Sequence, residues 1–572
     1  MSEPQPAPQS QSPATDWRDR GFLGALFVII AFLIDPSGDF PLIDDWGYAL
    51  PIEHFLGTGE LRFTGWQSMT LIAQLVWGTL FAAPFGFSFT ALRLSTLVAA
   101  FFALLAQAAL VRALGGNRES ERWATLSMLA NPVFLLLCFT FMTDVPFLAL
   151  ALASAACLVR ALKTDSTRAW VFGMAFAAVG VLLRQMALAL PMAFCVAIAV
   201  RHGFGRRLFL GAVAPLIGIA VLLFGYEGTI AAAGLESELY PLRSQALGQA
   251  IKDLLGLNLG ALRLPIDRGF QMLLYTGLFV APAVFVLAAR SVGRTEAPIG
   301  RRGLATLLGV SGLATLGLIA LDRGLPQMGN ILYDLGTGVR TLPGSVQSDG
   351  LPDSVWFVVT FLSVLSVALV LLWIARPLID AWGKSDLRER IAPTVFLVAL
   401  VIIYFGPLGL AYGPSFERYF LFPAAIAIAL ASAAVTRATQ NAADETPPQP
   451  LVRGLRGAAI TTLLIWAIVA IGGAHDFMDW NRVRYAMASD LESKGHPSDS
   501  IDAGFDYGSW RYTRAALARG EQGGRVDQPD AEIAVGFSAP SEARRLDERE
   551  LHPWLPGAPT RLYSFERTAD AD

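Results

Sequence analysis

The chain has 572 residues, 54% of them hydrophobic and 16% charged, which is too apolar for a single water-soluble core. Its formal net charge of −3 supplies no basic surface for nucleic acid, and its basic residues fall in short clusters between apolar runs, where a membrane topology signal belongs. The three cysteines, Cys138, Cys157 and Cys195, all lie inside apolar runs, so neither a disulfide framework nor a metal site is expected.

Residues 1–20 are rich in Pro, Gln and Ser and predict a disordered tail. The apolar run 21–35 is followed by no small-residue cleavage pattern and reads as an uncleaved anchor. Further spans are predicted at 88–111, 123–141, 145–162, 169–183, 185–200, 208–226, 266–289, 303–321, 353–375, 392–412, 419–436 and 457–474, about thirteen in all. The stretch 69–86, "MTLIAQLVWGTLFAAPFG", competes with them. If it does not cross, the clusters within 112–122, 160–168, 201–207, 290–302, 376–390 and 437–456 all join Arg18 and Arg20 on one face. If it crosses, every cluster moves to the other face. The positive-inside rule therefore predicts an interfacial or re-entrant helix at 69–86, a cytoplasmic N-terminus and short basic cytoplasmic connectors.

That threading sets an outer face made of 36–87, the turn at Thr143 and Asp144, the turn at Arg184, 227–265, 322–352, 413–418 and 475–572. The final segment carries an amphipathic helical pattern near 479–494 and the strand-like runs "EIAVGF" and "TRLYSF", which predict a small external α/β domain. The expected fold is an all-α polytopic membrane protein over 21–474, with interfacial helices in its first external loop and this domain after it.

Four aspartates, Asp35, Asp39, Asp44 and Asp45, follow the first span, with Trp46 and Tyr48 beside the last pair. A carboxylate held at the membrane surface reaches both a lipid head group and a hydroxyl, which suits a general base. Two adjacent carboxylates also repel one another, raising one pKa or making a cation site. A solvated acidic loop is the plainer reading. Asp144 interrupts nearly continuous apolar sequence, "CFTFMTDVPFLALAL", and an ionisable group between spans is costly unless it faces a cavity. Its plainer reading is a helix cap formed with Thr143. Arg184 and Arg418 fall at outer turns, where the topology rule predicts few cations. Each suits bidentate capture of a phosphate, or else pairs structurally with Asp144 or Glu417. Arg93, near the outer end of the second span, is a further cation of this kind. His54 and His475 lack ligand spacing and read as surface or packing residues.

The order of these motifs resembles the C-type membrane glycosyltransferases, in the branch containing protein O-mannosyltransferases, the lipid A aminoarabinose transferase and lipopolysaccharide galacturonosyltransferases. "DDWGY" is similar to that branch's first-loop acidic motif, "FMTDVPFLAL" to its second acidic motif and "FERYFLFP" to its late Arg-Tyr-Leu-Leu-Pro element. The resemblance covers about 21–200 and locally the 400s. It implies inverting transfer from a polyprenyl-phosphate sugar, with Asp44 as base and Asp144 shaping the site; Asp45, Tyr48, Arg93, Arg184, Glu417 and Arg418 are the expected substrate-binding residues. The chain departs from the branch in carrying Asp45 where Glu is usual and "TGWQSMT" where some relatives have a Lys-Pro-Pro-like element. The expected partners are the lipid-linked donor, a lipid, glycan or protein acceptor and membrane lipids, without a cofactor or nucleic acid, at a bacterial inner membrane with the C-terminal domain periplasmic. The rival class is a transporter or lipid flippase, which places its charges near mid-helix. A catalytically silent assembly subunit is a third.

Overall fold

The computed structural model describes residues 14–291, 301–328, 330–337, 342, 351–380, 387–410, 415–440, 450–528 and 530–567. Of the predicted features, most of the N-terminal tail, the middle of the basic cluster 290–302 and parts of 322–352, 376–390, 413–418 and 437–456 lie outside the described residues.

Helix α1 runs Ala14–Ile34, starting before the predicted boundary at 21. The first external segment holds α2 (Trp46–Thr58) and α3 (Ile72–Ala82). At 11 residues, α3 is too short to cross about 30 Å of hydrocarbon, as the charge argument requires. Next come α4 (Phe89–Ala113), α5 (Arg118–Leu129), α6 (Pro132–Cys138), α7 (Asp144–Thr164), α8 (Thr167–Val181), α9 (Ala189–His202) and α10 (Arg206–Ala232). The remaining helices of the bundle are α11 (Leu239–Leu255), α12 (Arg263–Ser291), α13 (Arg301–Ala320), α14 (Asp353–Asp380), α15 (Arg388–Leu410), α16 (Leu421–Gln440) and α17 (Pro450–Ser493).

Among the described residues, 10 helices are long and apolar enough to span a membrane, against about thirteen expected. The difference has local causes. The predicted span 123–141 is broken at Asn131, whose side chain accepts from the backbone N–H groups of Val133 and Phe134 at 3.0 Å each and so starts α6 afresh at Pro132. The span 169–183 is a helix of 15 residues. The start of α1 carries Asp16, Arg18, Asp19 and Arg20, leaving a short apolar run behind them.

The predicted boundary at 474 falls inside α17, which continues for 44 residues, about 66 Å of helix; Gly472 and Gly473 stand at that boundary, but no proline interrupts the helix there. The C-terminal unit adds α18 (Phe505–Ala518) and a four-stranded sheet in the order β1-β2-β4-β3. Strand β1 (Ile501–Asp502) pairs parallel with β2 (Ile533–Gly536), and β4 (Arg561–Glu566) pairs antiparallel with both β2 and β3 (Arg545–Glu550). The runs "EIAVGF" and "TRLYSF" supply β2 and β4. Strand β3, "RLDERE", is charged, solvent-facing and has no alternating pattern to announce it.

The C-terminal unit sits against the first external segment. Arg514 pairs with Glu53 at 2.6 Å, Arg62 donates to the Gly520 carbonyl at 2.8 Å, and the Gly65 N–H donates to the Gly523 carbonyl at 3.0 Å. Trp510 meets Phe89 edge-to-face, with ring centroids 5.9 Å apart.

Candidate active site

The site grows out of the loop that follows α1. Asp35 adopts a left-handed conformation (φ 58°) and ends the helix, and Pro36 prevents its continuation. Arg93 then organises the loop from beneath. Fully buried, it donates to the carbonyls of Pro36 at 3.1 Å, Gly38 at 2.9 Å and Phe40, and it lies 4.5 Å from the Phe40 ring centroid. Its two terminal nitrogens are thus engaged by backbone carbonyls of the loop, while its Nε has no acceptor among the described residues. Asp39 accepts from the Phe89 N–H at 2.8 Å, tying the loop to the start of α4.

Asp44 and Asp45 sit in different surroundings. Asp45 is fully buried and both its oxygens accept backbone N–H groups, from Leu42 at 2.6 Å and from Phe141 at 3.1 Å. Burial pushes its carboxyl up to about 7, against the opposing influence of Arg93 and those two hydrogen bonds. Asp45 therefore acts as a clamp between the first loop and the segment leading to α7. Asp44 keeps some exposure, with 15% of its side chain accessible. Its Oδ1 accepts from the Trp66 indole N–H at 3.1 Å and its Oδ2 lies 3.3 Å from Arg418 Nη2. Between Leu42 and this pair, Ile43 takes a φ of 59°, an unfavourable region for a β-branched side chain. The strained residue stands where the chain turns to present the two carboxylates differently.

The clamp brings Asp144 to the same end of the bundle. Asp144 is the first residue of α7, where the helix dipole favours a negative charge. It does not act with Thr143 as a side-chain cap. Instead Thr143 Oγ1 accepts from Arg184 Nε at 2.7 Å, and Arg184 Nη2 lies 3.0 Å from Asp144 Oδ1. That ion contact lacks hydrogen-bond alignment, and neither Asp144 oxygen has a hydrogen-bond donor among the described residues.

Arg184 is held by stitching between the 181–185 turn and the first loop. Leu71 N–H donates to Leu183 O at 3.1 Å, Ala73 N–H to Leu182 O at 3.0 Å, Thr70 Oγ1 to Val181 O at 2.7 Å and Gln185 Nε2 to Ser68 O at 3.1 Å. Arg418 is held between aromatic faces, 5.0 Å from the Phe416 ring centroid and 5.6 Å from that of Tyr419. Its Nε and Nη1 are buried without acceptors among the described residues. Glu417 does not pair with Arg418: fully buried, it accepts the Leu332 N–H at 2.9 Å and fixes the segment around 332.

Tyr48 lies among all four charges. Burial raises its phenol well above the ordinary range, the Asp44 charge raises it further, and Arg418, Arg184 and Asp144 all act on it. Asp44, Asp144, Arg184 and Arg418 thus share one electrostatic neighbourhood around one phenol. The pairs lie side by side, Asp44 with Arg418 and Asp144 with Arg184.

The sequence reading did not single out Trp66, which supplies a hydrogen bond to Asp44. It stacks on Trp46 with centroids 6.2 Å apart, and Arg525 of the C-terminal unit lies 5.8 Å from its ring. The available signal was the aromatic in "TGWQSMT", the element that departs from the resembled pattern.

Residues 76–226 match the family model for dolichyl-phosphate-mannose-protein mannosyltransferases, and over that stretch the expected resemblance is borne out. No curated protein matches the chain. Among solved structures it is similar to ArnT from Cupriavidus metallidurans bound to undecaprenyl phosphate, with 12% identity and a TM-score of 0.42 over 97% of this chain and 99% of that one. The apo state of the same enzyme gives 14% and 0.40, over 97% and 98%. The Archaeoglobus fulgidus oligosaccharyltransferase tethered with an acceptor peptide gives 14% and 0.43, over 84% of this chain and 58% of that one.

Proposed function

We propose that the chain is a membrane glycosyltransferase that moves a sugar from a polyprenyl-phosphate donor to an acceptor hydroxyl, with Asp44 as general base and inversion at the anomeric carbon. The observation that carries this reading is the pairing of Asp44 with Arg418 beside Asp144 with Arg184 at one end of an apolar bundle. The match of residues 76–226 to a mannosyltransferase family supports the class of chemistry.

The proposed step is a single displacement. The acceptor oxygen attacks the anomeric carbon as its proton passes to an Asp44 oxygen. The bond from that carbon to the phosphate oxygen breaks, and the electron pair leaves with polyprenyl phosphate. A carboxylate has about four lone-pair directions, so Asp44 retains room for a hydroxyl beside Trp66 and Arg418. Its contact with Arg418 is long at 3.3 Å, and Arg418 has two further donors without acceptors among the described residues. A donor phosphate competes for that guanidinium, stabilises the departing charge and frees Asp44 Oδ2 for the proton. Arg184 supplies a second cation, and Asp144, without hydrogen-bond donors among the described residues, offers an acceptor for sugar hydroxyls. Asp45 and Arg93 act on the geometry of the loop. On this reading the site faces the periplasm of a bacterial inner membrane, with the C-terminal unit beside the acceptor.

The test is incubation of purified protein with polyprenyl-phosphate sugars and envelope acceptor fractions. Release of free polyprenyl phosphate that depends on acceptor supports transfer. Movement of intact lipid-linked sugar across a vesicle membrane without its cleavage supports the flippase reading.

A further inference from the structure

At the opposite end of the bundle α1, α4 and α5 enclose an open groove of about 720 Å³. Its floor is Leu105, Ala108 and Ala109 on α4, walled by Phe22 and Leu23 on α1 and Leu126 on α5. The small side chains at 108 and 109 give the groove its depth, and Phe22 is 66% exposed along it. The remaining wall is charged: Arg20, Arg112, Arg118 and Arg122 line it against Asp19 and Glu121, four cations against two anions. Two contacts hold the frame, Arg122 with Asp19 at 2.7 Å and Arg112 Nε with Glu121 at 2.9 Å. Arg118 lines the same wall outside these two pairs. The location is fixed by chain direction. Arg112 is in the last turn of α4 and Asp19 in the first half of α1, whereas Asp39 meets the start of α4 beside the site.

We propose that this groove binds a bilayer phospholipid with a net anionic head group, its phosphate among the guanidiniums and the start of an acyl chain over Ala108 and Ala109. The charge is complementary, and arginine forks match phosphate oxygens. Basic pockets between helices at the membrane surface select anionic lipids in this way. From Leu105 to Arg112 the floor is about 10 Å long, which suits a head group and its first carbons, with the rest of the chain running along the exposed apolar side chains of α1 and α4, Phe22 and Phe102 among them. The site is separate from the Asp44 neighbourhood and does not depend on the proposed transfer reaction.

Native mass spectrometry of the full-length protein titrated with phosphatidylglycerol or phosphatidylcholine tests it. Wild type should retain phosphatidylglycerol preferentially, and Arg118→Ala with Arg122→Ala should reduce the preference roughly tenfold or more, while the double lysine variant keeps most of it. Ala109→Phe, which fills the floor and leaves every arginine in place, should lower retention of phosphatidylglycerol and decides the matter if the double alanine variant does not fold. Equal retention of both lipids by wild type, an unchanged preference in the alanine and phenylalanine variants, or displacement of phosphatidylglycerol by equimolar undecaprenyl phosphate would each overturn the proposal.

Discussion

Asp44 and Asp45 are the same residue type one position apart, and burial divides their work. Asp45 has every oxygen committed to backbone N–H groups and a carboxyl raised to about 7 by burial. The sign of its linkage follows. Between the ordinary value of 3.8 and about 7 the folded chain holds a proton that the unfolded chain has lost, so the contribution is favourable at the acid end and disappears as pH rises through 7. Asp45→Asn should therefore flatten the fall in thermal stability between about pH 4 and pH 7, measured by thermal unfolding in detergent. Trp66 acts on the neighbouring carboxylate. Trp66→Phe keeps an aromatic ring for Trp46 but removes the N–H, and should lower kcat roughly tenfold or more with a much smaller change in KM, the size expected for a hydrogen bond to a charged group.

Elements rather than single side chains bring the four charges together. The first loop is pinned to α4 by Arg93, to the segment leading to α7 by Asp45 and to the 181–185 turn by four hydrogen bonds. Arg93→Met strands the Pro36 and Phe40 carbonyls that the guanidinium serves, while Gly38 keeps the Thr90 hydroxyl at 3.2 Å; at about 1–3 kcal/mol for each carbonyl left buried and unpaired, a loss of about 2 kcal/mol or more is expected in a denaturation assay. At Gly65 a methyl group would stand 2.5 Å from the Gly523 carbonyl oxygen, so Gly65→Ala should push the 520–525 segment away and lower transfer while leaving membrane insertion unchanged. Long apolar elements were legible from sequence because period and length suffice to predict a span. The break at Asn131 was not, because its cap satisfies the backbone inside a run that remains apolar throughout. Asp144 and Arg184 stood out as charges among apolar residues, and the structure places them in contact. Arg93 stood out in the same way, yet its partners are carbonyls, which no side-chain pattern reveals.

Across the whole molecule, the C-terminal unit is a part of the site's frame. It reaches the first loop through Arg514, Gly520 and Gly523 and reaches Trp66 through Arg525, contacts more than 450 positions apart in sequence. The position of this unit after the last span was readable, but its contacts were not, since pairing over such separations leaves no local periodicity. The role of Trp66 was hidden because its hydrogen bond to Asp44, 22 positions away, follows no helix or strand period. The account as a whole rests on Asp44 accepting a proton during sugar transfer. The direct measurement is single-turnover transfer from a polyprenyl-phosphate sugar by Asp44→Asn, alongside donor binding by the same variant. Transfer should fall by about 10²–10⁴-fold with donor affinity within a few fold of wild type. Wild-type transfer by the asparagine variant would contradict it.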